Sequence, residues 1–371
     1  MSERIKILQT IRQGKIGGGE RHVIDLVESM DKTIFEPIVL SFTDGEMISY
    51  LKNIGIEVHV IYTERGFDYK VWSKVTRLIQ ERGVSLVHAH GTRACSNSFW
   101  SAKRLKIPSL YTVHGWSFHA DQGFPQKNIR AFFEGVLIKQ VDGTVLVSEN
   151  NGREAAAMFS PRKQFVIKNG VNLNRFSLNV SNHIREELAI SDDCFLVGFI
   201  ARMTKQKDPF TMVRAMKIVS QKNKNIKLLM VGSGELDDEI GVLINELRLD
   251  NIIRQPFRLD IPEVLSAIDV YCLPSLWEGL PIGVLEAMAM AKPIIASDIP
   301  GTTELVEEGE NGYLFTTQSP ESLAEKILLM YSLGVKVRAS FGEFSRSRIE
   351  KEFSIESMTR EIERVYLNFL K

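Results

Sequence analysis

Short apolar runs alternate with amphipathic stretches along the whole chain. In the first half the runs fall at residues 5–11, 35–42, 57–62, 86–90, 109–114 and 143–147. A second series occupies 195–201, 226–231, 252–257, 270–274, 293–297 and 312–315. Helical periodicity between such runs predicts βα units wound around parallel sheets. Between the two series, KNGVNLNRFSLNVSNHIREE is rich in Asn and Ser and lacks apolar periodicity, which marks an interdomain linker around 170–185. The last helix, 355–370, carries Ile362, Val365, Tyr366, Phe369 and Leu370 on a face that needs a surface to cover, so it is expected to pack back onto the first domain. No solenoid-length repeat and no low-complexity tract interrupts the pattern.

A chain of 371 residues can bury two cores of ordinary size. The expected division is 1–175, joined by the final helix 355–371, and 176–354. With 44% hydrophobic and 25% charged residues and zero formal net charge, neither a disordered chain nor a bulk nucleic-acid binder is indicated. The halves differ: residues 1–175 hold 24 basic and 17 acidic side chains, the remainder 22 and 29. A basic first half suits an anionic surface or ligand, or reflects nothing more than solvated faces. The three cysteines, Cys95, Cys194 and Cys272, show neither metal-binding spacing nor a disulfide framework, which fits a reducing cytoplasm. The opening MSERIKILQTI lacks a signal-peptide core and no run of eighteen apolar residues occurs, so any membrane association is expected to be peripheral.

The most informative segment is LPSLWEGLPIGVLEAMAMA, residues 273–291. A strand ends there, Gly279 and Gly283 loosen the loop, and a helix begins near Gly283, so backbone N–H groups are offered to an anion. Glu278 in the loop and Glu286 one turn into the helix add two carboxylates. Either they complement the helix dipole, or the ligand carries both phosphates, for the amides, and hydroxyls, for the carboxylates. The setting PSxWEGLPxxxLEAMA, with its two glutamates, glycines and Pro274–Ser275, resembles the signature of the family 4 glycosyltransferases. That is a retaining family whose GT-B fold sets two Rossmann-like domains of parallel sheet across a deep cleft. The resemblance covers nearly the whole chain, is strongest over 195–315, and fits the bacterial surface-polysaccharide type. It implies that Glu286 holds the ribose hydroxyls of the nucleotide. It further implies that Glu278 contacts donor-sugar hydroxyls beside the main chain of Gly279, Leu280, Pro281 and Ile282, and that the amides near Gly283, Val284 and Leu285 reach phosphate.

A second segment, GFIARMTKQKDP, ends a buried strand at Arg202 and continues through Lys205 and Lys207 to a helix opened by Asp208 and Pro209. Arg202 and Lys207 can converge where doubly wound sheets bind ligands, or can belong to a solvated basic loop. The stretch resembles the family's Arg and Lys element that neutralises the departing diphosphate, with Ala201 in place of the usual glycine. Lys205 has the weaker claim. The first βα turn, RQGKIGGGERHVIDL, brings Gly17, Gly18 and Gly19 to a helix start, which suits a phosphate or sugar or a merely flexible loop. In the family such a turn faces the diphosphate and the transferred sugar, which implicates Gly18 and Gly19.

His88, His90, His114 and His119 all lie at or beyond strand ends. The His88–Ala89–His90 pattern could suggest a metal, but no acidic ligand is near in sequence and strand-end core histidines are commoner. His114, followed by Gly115, resembles the family's histidine beside the donor sugar. The aromatic loop 116–124 lines an acceptor pocket or is a packed Ω-loop. Segments 255–258 and 298–304 are second-tier candidates; the first includes Phe257, where the family recognises the base through backbone groups.

The expected activity is transfer of a hexosyl group from a UDP-sugar or GDP-mannose to a saccharide acceptor, lipid-linked, with retention inherited from the family. No Asp-x-Asp triplet is present, so Arg202, Lys207 and helix amides are expected to stabilise the leaving group without a metal or other cofactor. The basic segment around Lys103, Arg104, Lys106, Lys127 and Arg130 predicts peripheral contact with an anionic membrane, at its cytoplasmic face. The competing functions are a nucleotide-sugar epimerase or hydrolase of the same fold, and a non-catalytic nucleotide-sugar-binding module.

Overall fold

A computed structural model describes residues 3–118, 122–181 and 183–371. The chain forms two compact units, 1–170 with 355–371, and 171–354. In the first unit the strands are β1 (Ile5–Ile11), β2 (Phe35–Ser41), β3 (Glu57–Val60), β4 (Leu86–His90), β5 (Ser109–Val113), β6 (Gly143–Leu146) and β7 (Gln164–Val166). The helices interleaved with them are α1 (Gly18–Ser29), α2 (Glu46–Asn53), α3 (Tyr69–Arg82), α4 (Thr92–Leu105), α5 (Gln126–Gln140) and α6 (Glu149–Met158). The sheet is parallel in the order β3-β2-β1-β4-β5-β6-β7. Its strands are apolar on both faces because helices cover both sides, which is why they appear in the sequence as runs and not as alternations. Only β7, three half-buried residues on the sheet edge, was absent from the expected strands; three residues are too few to leave a periodic signal.

The second unit contains α7 (Ile184–Glu187), β8 (Phe195–Ile200), α8 (Pro209–Lys222), β9 (Ile226–Val231), α9 (Asp237–Glu246), β10 (Ile252–Gln255) and α10 (Ile261–Ala267). It continues with β11 (Val270–Leu273), α11 (Ile282–Ala289), β12 (Ile294–Ser297), β13 (Gly312–Phe315), α12 (Pro320–Ser332) and α13 (Gly334–Glu352). Its parallel order is β10-β9-β8-β11-β12-β13. In each sheet the strand order reverses direction at one place, between β1 and β4 and between β8 and β11, and the crevice outside the carboxyl ends there is where ligands of such sheets sit.

The last helix, α14 (Ile355–Leu370), belongs to the first unit. Its Ile355, Met358, Ile362, Val365 and Tyr366 join one apolar cluster with Ile7, Leu26, Phe35, Leu86, Leu110 and Val145. Gly143 is required beneath it: a Cβ there would lie 2.9 Å from the Phe369 ring.

Candidate functional site

In the second unit, the carboxyl end of β8 passes through Ala201 to Arg202 and then into a 3-10 turn, Lys205–Lys207. Asp208 ends that turn with φ of 44° and caps α8, its carboxylate accepting from Thr211 N at 3.2 Å and Thr211 Oγ1 at 2.6 Å. The turn is fastened to the loop after β11: Leu276 N donates to Gln206 O at 2.8 Å and Gln206 Nε2 to Trp277 O at 2.9 Å. This brings Lys207 onto Glu278, and the two form an ion pair. The Glu278 carboxylate also accepts from Ser275 Oγ at 2.6 Å. With side chains only 17% and 7% exposed, the pair is shielded enough for its attraction to exceed that of a surface salt bridge. Sequence reading treated these residues as separate contributors; the fold joins them. Arg202 is half-buried and makes no ion pair among the described residues.

The start of α11 completes the arrangement. Pro281 is its N-cap and supplies no side-chain acceptor, but its carbonyl accepts from Val284 N at 3.1 Å and Leu285 N at 3.3 Å, so of the three amides expected to reach phosphate only that of Gly283 is left for a ligand. Gly283 is required because a Cβ would fall 2.5 Å from Tyr271 Oη, and that phenol donates to Ile200 O at 3.1 Å. Burial, then the charges of Glu286 and Glu278, push the Tyr271 phenol well above its ordinary range, so both carboxylates act on one locus at the β8/β11 reversal. Leu280, Ile282, Val284 and Leu285 are buried, which restricts any role they have with a ligand to their main chain. Glu278, Gly283 and Glu286 retain partial exposure.

Two neighbours escaped the sequence reading, and a third, Gly301, lay unassigned within the second-tier segment 298–304. Gly232, at φ of 133°, and Gly234 follow β9, and a Cβ on either would meet Ala201 O at 2.0 Å or Met203 O at 2.2 Å. They let their loop lie against the backbone bearing Arg202; the paired glycines of VGSGE after a strand were the available signal. Gly301, at φ of 92°, similarly approaches Gly279 O, at 2.3 Å from a hypothetical Cβ, which gives segment 298–304 a packing role. Of the segment 255–258, Phe257 is 43% exposed. Arg258 is engaged by Asp260 at 2.6 Å and Glu187 at 2.6 Å.

In the first unit, β1 leads through residues 12–17 into α1. Gly18 faces open space, and Gly19 lies against the His114 ring, 3.5 Å from a hypothetical Cβ to Cδ2. His114, just past β5, shares a hydrogen bond of 3.1 Å with His90 Nδ1. His90 Nε2 is 2.9 Å from Gln9 Oε1. His88 is held on both ring nitrogens, by Tyr366 Oη at 2.6 Å and Thr112 Oγ1 at 2.7 Å. Burial lowers the pKa of all three rings, so they are neutral at physiological pH. Of the aromatic loop, residues 119–121, with His119, lie outside the described residues. Trp116 and Phe118 stack on each other, and Phe159 meets the first tilted and the second edge-on, so this part packs against the core. Beneath them the buried Glu134 accepts from Tyr111, Ser117 and Thr92, and burial raises its pKa.

Two family profiles match. Residues 180–348 match the one described as "Glycosyl transferases group 1", and residues 16–175 match "Glycosyltransferase Family 4". The chain is 25% identical over 381 residues to the Escherichia coli "UDP-Gal:alpha-D-GlcNAc-diphosphoundecaprenol alpha-1,3-galactosyltransferase", covering 99% of this chain and 98% of that one. It is 27% identical to the Staphylococcus aureus "Capsular polysaccharide biosynthesis glycosyltransferase CapM", over 93% of each. Among solved structures, Anabaena Alr3699/HepE in complex with UDP and glucose superposes with a TM-score of 0.87 at 22% identity, covering 98% of this chain and all of that one. WaaG, "a glycosyltransferase involved in lipopolysaccharide biosynthesis", superposes at 0.77 with 14% identity, covering 97% and 99%.

Proposed function

The chain belongs to the family 4 glycosyltransferases, and from that premise we propose that it moves a hexosyl group from a UDP-sugar to a lipid-linked saccharide during assembly of a surface polysaccharide. The donor class is supported by the UDP-galactose of the E. coli relative and the UDP of the Anabaena complex. The acceptor class is supported by that relative's diphosphoundecaprenol substrate and by the capsular role of the S. aureus one. The observation that carries the reading is the Lys207–Glu278–Ser275 cluster beside the start of α11, with Arg202 just past the end of β8 and Glu286 one turn into α11.

In this reading the N–H of Gly283 receives phosphate oxygen, while Val284 and Leu285, whose N–H groups donate to Pro281 O at 3.1 and 3.3 Å, act through the positive end of the helix, and Glu286 takes the ribose hydroxyls. Glu278 accepts from hydroxyls of the sugar, flanked by the main chain of Gly279, Leu280, Pro281 and Ile282, while the backbone near Phe257 meets the base. As the glycosidic bond breaks, negative charge grows on the β-phosphate, where Arg202 and Lys207 counter it. The pairing with Glu278 keeps the Lys207 ammonium in place before the donor arrives, so little reorganisation is left for the transition state. Two fixed cations and a helix start can replace a divalent ion in this role, which makes the reaction independent of added metal. Gly18, Gly19 and His114 of the first unit are assigned to the transferred sugar. The acceptor hydroxyl attacks the face the diphosphate leaves, with a phosphate oxygen taking its proton, so configuration is retained.

The test is a panel of UDP-sugars and GDP-mannose with a polyprenyl-diphosphate saccharide, followed by NMR of the product linkage. Retention, undiminished turnover in chelator, and a loss of about 10³-fold or more in Arg202→Ala/Lys207→Ala are expected. An inverted linkage, abolition by chelator or full turnover in the double variant would overturn the mechanism. Donor cleavage that is equally fast without acceptor would point to a hydrolase.

A lipid-linked acceptor calls for contact with the cytoplasmic face of a membrane. Among the described residues no helix is long and apolar enough to cross one. Lys127 and Arg130 on α5 alternate with Ile129 and Phe132, the latter 67% exposed, and Phe124 just before the helix is 85% exposed. Lys103 and Lys106 line a separate surface pocket with Arg162 and Lys163. Basic residues interleaved with exposed aromatics suit an anionic headgroup layer. Co-sedimentation that ignores anionic lipid content and salt would remove this part of the reading.

A further inference from the structure

His22 of α1 has no assigned role in the Gly-rich turn segment, yet it meets His90 and His114 in space: one ring nitrogen from each residue lies within 4.8 Å of the other two. The protonation of the set follows from its outer partners. His22 Nδ1 is 3.0 Å from Asn169 Oδ1, and His90 Nε2 is 2.9 Å from Gln9 Oε1. An amide oxygen can only accept, so both outer nitrogens carry the proton and both inner ones, His22 Nε2 and His90 Nδ1, present lone pairs. Gln9 is held in that orientation because its Nε2 donates to Tyr366 Oη at 2.9 Å. His90 Nδ1 accepts from His114 Nε2 at 3.1 Å. His22 Nε2 is buried and has no hydrogen-bond partner among the described residues. Such an orphaned acceptor costs about 1–3 kcal/mol, unless something electron-deficient occupies the space before it.

We propose that His22, His90 and His114 form a binding site for a divalent transition-metal ion of the zinc and cobalt class. Three neutral imidazoles with no carboxylate select this class over Mg²⁺ and Ca²⁺, which require oxygen ligands. Asn169 and Gln9 stand where outer-shell acceptors orient metal-bound histidines. Metal–nitrogen bonds of about 2.0–2.1 Å place tetrahedral ligand nitrogens about 3.3 Å apart. His90 and His114, at 3.1 Å, are already close to that spacing, so His22 closes on them by at most about 1.5 Å, and His114 shifts its proton to Nδ1. His114 is only partly buried, which leaves the fourth position to water. The positive end of α1 opposes a dication, so affinity falls below that of closed structural zinc sites. His88 is excluded, since both its nitrogens are bonded to groups outside the set, Tyr366 Oη and Thr112 Oγ1.

Filling the site commits His114 Nε2 to the metal. If His114 serves the transferred sugar, as proposed above, the metal-loaded protein transfers poorly; this consequence alone rests on that reading. Metal-stripped full-length protein is titrated with Co²⁺ while visible ligand-field absorption is followed. One equivalent with four-coordinate intensity, displaced by Zn²⁺, is expected; His22→Gln and His90→Gln should lose it and His183→Gln keep it. Should the substituted proteins fail to fold, ring NMR of the unmodified chain decides: of its seven histidines, Zn²⁺ should shift His22, His90 and His114 and leave His59 and His183 unmoved. No saturable four-coordinate signal, or one that survives in His22→Gln, overturns the site. A drop in transfer of about 100-fold at full Zn²⁺ occupancy is expected; undiminished transfer with the site filled would leave the metal site standing and remove His114 from the transfer step.

Discussion

Lys207 and Glu278 were visible in the sequence as two separate charges, and their pairing gives each a condition for being charged in a shielded place. Removing one partner strands the other, at a cost of about 3–5 kcal/mol for a buried pair, somewhat less here because the lysine is partly exposed. Lys207→Met or Glu278→Gln should therefore lower the unfolding midpoint. The double substitution should recover much of that stability while transfer stays at least about 10²-fold down. A cycle of thermal unfolding and turnover measurements separates the two effects, and turnover recovering along with stability would assign the pair a purely structural role. Lys292 offers a second test at this scale. It donates to Ser266 O and Ile268 O, both at 2.9 Å, and burial brings its pKa down from 10.5 to about 8. Because the folded pKa is the lower, this lysine favours folding fully only above about 10.5, and the contribution is lost as pH falls through 8. Urea unfolding should gain about 2 kcal/mol between pH 7 and 9.5 relative to Lys292→Met. Parallel pH profiles for the two proteins would contradict the shift.

At the scale of elements, the site depends on how closely α11 approaches β8 and β11. Gly283 has no space for a methyl group because Tyr271 Oη stands there, fixed in turn by Ile200 O. Gly283→Ala should displace the helix start, destabilise by about 1–3 kcal/mol and weaken UDP binding. Tyr271→Phe in the same chain removes the obstructing oxygen and should restore part of both, as calorimetry would show. Equal UDP affinity in Gly283→Ala and the unmodified protein would mean the helix start does not meet the nucleotide. The glycines in this segment were legible as turn residues; the close neighbour that makes one of them obligatory was not, since Tyr271 lies twelve residues away on another element. The same limit applied to Gly232, Gly234 and Gly301, whose neighbours are backbone atoms of other loops.

For the whole molecule, α14 is the telling element, because the chain completes the second unit before it supplies the helix the first unit lacks. Its five buried side chains are each worth about 1.5–3 kcal/mol of burial, together comparable to the entire stability of a domain. Tyr366 also joins Gln9 and His88, so its loss leaves buried polar groups unsatisfied. A chain ending at Ser354 should lose hydrogen-exchange protection throughout residues 3–168 and keep it in 171–354. Retained protection in the β1–β4 region would show that the first unit folds without α14.

The parallel α/β architecture, the strand positions and the glutamate, arginine and lysine candidates were determined by the sequence itself, because apolar runs, glycines and charged loops are properties of consecutive residues. What only the tertiary structure decided concerns partners distant along the chain. It joined Lys207 to Glu278 and set Gly283 against Tyr271. It also gathered His22, His90 and His114 around one point. Each of these depends on which strand ends lie side by side. That is set by the order of strands in a sheet, and no local pattern of hydrophobic and polar residues encodes it.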